Sequence, residues 1–111
     1  MLHKIGRVLI VVALIFTFTL TSTHAGKAPK VNIASVGWTG VTIKSELAVS
    51  ILRSLGYDAK NMVMSVPIAY MALSKGDADF FLGNWMPSMA NIAQKYFDKG
   101  SVIQYAVNMP G

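Results

Sequence analysis

Two indoles are the groups in this sequence best suited to chemistry. Trp38 stands in Gly37-Trp38-Thr39 and Trp85 in Gly83-Asn84-Trp85-Met86-Pro87; these are the two tryptophans of the chain. Each comes just after an apolar, strand-like run, Val31–Val36 and Ala78–Leu82, and a helical pattern follows each. In a parallel sheet both would emerge at the same carboxyl edge, where open α/β sheets bind ligands. An indole face is broad, apolar and electron-rich, so such a pair suits a flat, apolar or cationic ligand. Core packing is the ordinary role of a single aromatic residue. Here the glycine-flanked turns count against it, because core residues sit within strands and on helix faces.

Few other groups offer chemistry. The chain has no cysteine, and its two histidines are His3 and His24. Both fall in a stretch that reads as a secretory leader. Lys4 and Arg7 precede an almost wholly apolar run, Val8–Leu20, and Thr23 and Ala25 are the small residues of a cleavage site after Ala25. The run is short for a membrane span, which needs about 20 residues. No cysteine follows it, so there is no thiol for lipid attachment. A periplasmic protein is the expectation. Removing residues 1–25 takes away Lys4 and Arg7 and leaves eight basic against five acidic residues, so the net charge falls from +5 to +3. The remaining lysines are scattered, which gives nucleic-acid binding little support. Without Cys or His, residues 26–111 hold no thiol nucleophile, no Ser-His triad and no usual zinc ligands, which argues against a hydrolase and against a metal site. Asp77 and Asp79 read as a turn residue and a strand residue with no evident partner, not as an acid–base pair. The methionines read as gap-filling apolar residues.

The elements that must position the indoles alternate. After a polar lead-in, Gly26–Lys30, the runs Val31–Val36, Asn61–Val66, Ala78–Leu82 and Ser101–Ala106 read as strands. Between the first two, Leu47, Ala48, Ile51, Leu52 and Leu55 recur at helical spacing, with Thr39 as a candidate cap and Gly56 as the stop. Pro67 suits the start of a second helix, with Ile68, Met71 and Ala72 on its apolar side and Gly76 at its end. Pro87 opens a third, whose Met89, Ile92, Ala93, Tyr96 and Phe97 form one face, closed by Gly100. The order predicts an α/β domain with a mainly parallel sheet and flanking helices. Residues 26–111 are few for such a sheet and read as the front of something longer.

Three segments in order, Val36-Gly37-Trp38-Thr39, Ser65-Val66-Pro67 and Phe81-Leu82-Gly83-Asn84-Trp85-Met86-Pro87, resemble the amino-terminal lobe of periplasmic choline/glycine-betaine-binding proteins of ABC transporters. The likeness covers nearly all of residues 26–111, and Gly-Asn-Trp-Met-Pro is most similar to the choline-binding branch. The resemblance implies a partial substrate-binding lobe of type II periplasmic-binding-protein-like fold over 26–111, behind a signal peptide over 1–25. It implies choline or glycine betaine as ligand, an ABC permease in the inner membrane as partner, no cofactor and no catalysis. It gives Trp38 and Trp85 the role of walls in an aromatic box, with Thr39, Gly40 and Asn84 beside the ligand. A trimethylammonium group has no N–H to donate, so an aromatic face can hold it where hydrogen-bond acceptors cannot. The family often carries an acidic residue where this chain has Gly40, and its remaining box aromatics would lie beyond Gly111. An interaction or remnant domain that binds no small solute is the alternative reading.

The leader yields the first prediction. The intact mass of the exported protein is expected to match a chain beginning at Gly26. Recovery of a membrane-bound form that retains Val8–Leu20 would overturn it.

Overall fold

The computed structural model describes residues 26–108. The leader expected over residues 1–25 and the terminal Met109-Pro110-Gly111 lie outside the described residues. The elements run β1 (Lys30–Ser35), α1 (Thr39–Ser54), β2 (Asp58–Val63), α2 (Val66–Lys75), β3 (Phe80–Phe81) and α3 (Ala90–Asp98). The three strands are all parallel in the order β2-β1-β3, with Ile33 opposite Asn61 on one side and Phe80 on the other. The expected α/β class, parallel sheet and flanking helices are what the chain forms.

β1 is the centre, and its alternation explains the layers. Ile33 is fully buried under Val49 of α1, with Val31, Ala59 and Phe80 around it. Ala34 points the other way, into Ala69 and Ala72 of α2, with Met62 and Phe81 beside them. A central strand covered on both faces must be apolar at consecutive positions, as parallel strands are. Each strand–helix–strand crossover prefers one hand. The chain moves from β1 outward to β2, then back across to β3, so the same hand sets α1 and α2 on opposite faces. α3 then packs on α2 through Tyr70, Met89 and Ala93, with Ile92, Tyr96 and Phe97 at the margin. That is the apolar face the spacing predicted for the third helix.

Several boundaries differ from the expected ones. β2 begins three residues early. Gly56 takes a left-handed turn (φ 89°), Tyr57 N–H bonds back to the Leu52 carbonyl, and the Asp58 N–H reaches Pro29, so pairing with β1 starts at once. β3 is only two residues long. Asp79 extends it irregularly: its N–H donates to the Asn32 carbonyl (2.8 Å), and its Oδ2 accepts from the Asn32 N–H (2.6 Å). Asp79 therefore has the structural partner that the sequence left unassigned. The helix expected from Pro87 begins at Ala90 instead, because residues 86–89 form turns. The strand expected at Ser101–Ala106 does not form. The segment alternates as a strand should, but it pairs with no strand among the described residues, and Tyr105 stays 94% exposed.

α1 turns a different side inward from the one its large residues predicted. Val41, Ser45 and Val49 are buried, flanked by Ala48 and Leu52, whereas Leu47 and Ile51 are 60% and 53% exposed. The helix is apolar around more than half its girth, and a three-stranded sheet offers only a narrow face. Small residues on that face let the helix approach closely, and the larger ones stay outside.

This burial pattern separates two substitutions. Ile33→Ala is expected to lower stability by about 2–5 kcal/mol, the usual result of emptying a well-packed site. Leu47→Ala is expected to change it by less than about 0.5 kcal/mol. Urea midpoints of the two variants check the difference; equal losses would place Leu47 in the core.

Candidate ligand-binding site

β1 ends at Ser35, and the chain turns sharply through Gly37, with Trp38 N–H donating to the Val36 carbonyl at 2.8 Å. Trp38 stays extended (φ −90°, ψ 129°) and is itself the residue that caps α1, with no side-chain cap bond. Thr39, expected as the cap, is the first helical residue instead, because the helix starts directly behind the turn. Thr42 anchors that start by donating its hydroxyl to the Val36 carbonyl at 3.1 Å. Thr39 and Gly40 are exposed in the first turn, and a Cβ added at Gly40 would meet nothing within 4 Å. The first amides of a helix lack intrahelical acceptors, so this end of α1 presents donors to its surroundings.

Trp85 arrives from β3. Gly83 makes this possible: a Cβ there would lie 2.8 Å from both Val41 Cγ1 and Phe81 Cε2. The bare backbone therefore sits directly on α1. Beyond it the Trp85 carbonyl accepts the Met89 N–H at 2.9 Å, and the Trp85 N–H points at the Met89 sulfur (3.5 Å). The two indoles meet with centroids 5.1 Å apart and planes tilted by 37°. Trp38 is 41% exposed and Trp85 52%. At this separation the rings touch each other. They adjoin each other and are not the two sides of a slot, and their free surfaces face solvent. The pair lies between β1 and β3, whose continuations leave to opposite faces of the sheet, which is where such sheets open a crevice.

Asn84 is held from below. Its Oδ1 accepts the Tyr70 hydroxyl at 2.5 Å. Tyr70 is 1% exposed, stacked on Tyr96 (5.7 Å, 13°) and edge-on to Phe81 and Phe97. Burial raises its hydroxyl pKa above the ordinary 10.0. The contact of Tyr70 with Asn84 comes from the packing of α2 on β3 and α3. A cavity of about 1090 Å³ opens beside this joint, lined by Tyr70, Asn84, Trp85 and the segment Ser101–Asn108. Trp38 does not line that cavity, although it touches Trp85, which does. The structure thus brings Trp38, Thr39, Gly40, Asn84 and Trp85 to one edge of the sheet, with Asn84 turned toward Tyr70. No group of three or more His, Cys, Asp or Glu side chains gathers among the described residues.

Residues 29–110 match the OpuAC family, the substrate-binding domain of ABC-type glycine betaine transport systems. The chain belongs to this family. A solved structure described as an ABC-transporter choline-binding protein in complex with choline is similar to this substrate-binding domain at 40% identity and a TM-score of 0.61. That likeness covers 64% of this chain and 25% of the choline-binding protein. A protein of Chromohalobacter salexigens, called uncharacterized protein ORF1, is 42% identical over 94 residues, 85% of this chain and 61% of its own length. The substrate-binding domain described here therefore spans part of each of these relatives. Its fold is that of a partial periplasmic-binding-protein lobe.

Tyr70 supports a prediction with a definite sign. Its pKa is raised in the folded state, so the stability tied to its neutral form is fully present below pH 10.0 and is lost as pH climbs through the folded value. Tyr70→Phe is expected to cost about 1 kcal/mol near neutrality through the unmet Asn84 oxygen. It is also expected to soften the loss above pH 10.0. Urea unfolding on both sides of that pH reads both effects; an identical alkaline loss in the variant would exclude Tyr70 as its source.

Proposed function

We propose that residues 26–111 are a partial substrate-binding lobe that captures choline or a related quaternary ammonium compound, such as glycine betaine, for an ABC importer. Capture is non-enzymatic. Trp38 and Trp85 are two adjoining walls of an aromatic box, and the importer permease in the inner membrane is the partner that receives the ligand. Export behind the cleaved leader puts the protein in the periplasm. The observation that carries this reading is the contact of the two half-exposed indoles at the carboxyl edge, 5.1 Å apart. A packing role would bury them; a cation attracted to π faces needs them open. The likeness to a choline-binding protein of known structure supports the ligand class.

The start of α1 bears on which ligand is preferred. Gly40 brings no negative charge to the ammonium, and the free amides around Thr39 and Gly40 favour a carboxylate. Both features favour a zwitterion over a pure cation. A second reading, an interaction domain without a small ligand, is favoured by the exposed apolar row Ile43, Leu47, Ile51 and Leu55 along α1 and just past its end.

Titration of tryptophan fluorescence with choline and glycine betaine distinguishes the readings. Each cation–π contact contributes about 0.5–2 kcal/mol. Two walls therefore give this chain a Kd of roughly millimolar or weaker. Trp85→Ala is expected to abolish the response. Gly40→Asp, which has room, is expected to raise choline affinity relative to betaine by about fivefold, the value of one nearby charge in water. A chain that responds to neither ligand while remaining folded would favour the interaction domain, and micromolar binding would mean that a second copy completes the box.

A further inference from the structure

Lys44 stands on α1, six residues after Trp38 and 41 before Trp85. Its half-buried side chain crosses to the other turn. Nζ donates to the Leu82 carbonyl at 3.0 Å and to Asn108 Oδ1 at 3.4 Å, and Asn108 Nδ2 donates to the same carbonyl at 3.3 Å. Leu82 immediately precedes Gly83, whose backbone rests on Val41. Val41 and Lys44 are three apart on α1, so they lie on one side of the helix. α1 thus grips the Leu82–Gly83 peptide at two neighbouring points, by packing at Val41 and by a charge-assisted hydrogen bond at Lys44. The helix begins with Trp38, and the gripped peptide leads within three residues to Trp85.

β3 cannot do this work. Its ladder with β1 is Phe80 and Phe81, with Asp79 bonded to Asn32 just before them, and the chain leaves the sheet before Gly83. Between the last paired residue and Trp85, the Val41 contact and the Lys44 bond tie the chain to α1. The first is apolar and leaves sliding along the helix open. The second is directional, because the ammonium must meet a carbonyl oxygen. We infer that Lys44 is a positioning residue, whose ammonium holds the Leu82 carbonyl on α1 and so sets the Trp85 indole against Trp38. Its consequence for binding rests on the reading of the indoles as ligand walls. The indole pairing itself is read without any ligand.

The absence of cysteine makes a clean test possible, because Lys44→Cys gives the full chain a single thiol. Alkylation with bromoethylamine restores an ammonium on a stem of the same length, and alkylation with iodoacetamide leaves a neutral amide. The readout is the exciton couplet that two touching indoles produce in circular dichroism, followed beside the helix signal. The thiol and amide forms are expected to lose most of the couplet while keeping the helix signal, and the aminoethyl form to regain it. Choline affinity is expected to fall roughly tenfold and recover in parallel, the size of one charge-assisted hydrogen bond. A couplet that is the same in all forms, or is not restored by the ammonium, overturns the inference. If the thiol form does not fold, Lys44→Arg and Lys44→Met are compared: arginine is expected to keep the couplet and methionine to lose it alone. Loss of the helix signal together with the couplet in the methionine form would make Lys44 merely structural and also overturns the inference. A couplet that behaves as expected in a chain that ignores choline would refute the ligand reading and leave the positioning role standing.

Discussion

The contact between the bare backbone of Gly83 and Val41 of α1 is the constraint on which the site depends. A single methyl group at Gly83 would stand 2.8 Å from side-chain carbons on two sides. Because nothing is there, the turn after β3 can lie on the first turns of the helix after β1. The meeting of the two indoles follows from that approach. It brings the carboxyl ends of two neighbouring strands together above the sheet, and it leaves the indoles to complete the contact. Lys44 adds direction to an interface that packing alone would leave slippery.

That contact needs a platform, and β1 supplies it. Among the described residues it is the one strand paired on both sides and covered on both faces. Its neighbours are reached in opposite directions, so α1 and the chain after β3 leave by opposite faces. Open sheets form their crevice at such a reversal of order. A second buried layer, centred on Tyr70, supports the turn from the α2 side. Its hydroxyl fixes Asn84, and its ring is held by three aromatic neighbours. The site therefore rests on a rigid aromatic cluster below and a helix beside it, although the indoles themselves lie open.

Two margins of the chain expose apolar surface. The unpaired alternating segment Ile103, Tyr105 and Val107 and the row Ile43, Leu47 and Ile51 are both built like surfaces that take a partner element. Among the described residues nothing covers either of them. The chain spans 61% of its relative from Chromohalobacter salexigens and 25% of the solved choline-binding protein.

Much of this was legible in the sequence, and the reasons are local. Gly56, Gly76 and Gly100 mark helix ends because each adopts a positive φ that other residues resist. The third helix could be read from its spacing, since one face must meet one neighbour. The strand–helix alternation determined the α/β class, and the two tryptophans in glycine-containing turns could be picked out by position. Local signals could not decide quantities that depend on partners. The start of β2 is set by its register with β1, the length of β3 by where the chain departs onto Val41, and the failure of Ser101–Ala106 to form a strand by the lack of a paired neighbour among the described residues. On α1 the sequence offered more apolar residues than one face can hold, and only the width of the sheet chose Val41, Ser45 and Val49 over Leu47 and Ile51. Tyr70 under Asn84 and Lys44 on the Leu82 carbonyl join residues 14 and 38 positions apart. No periodicity carries such pairings. They exist because a hydroxyl and an ammonium, once folded beside a polar turn, must find an oxygen within reach.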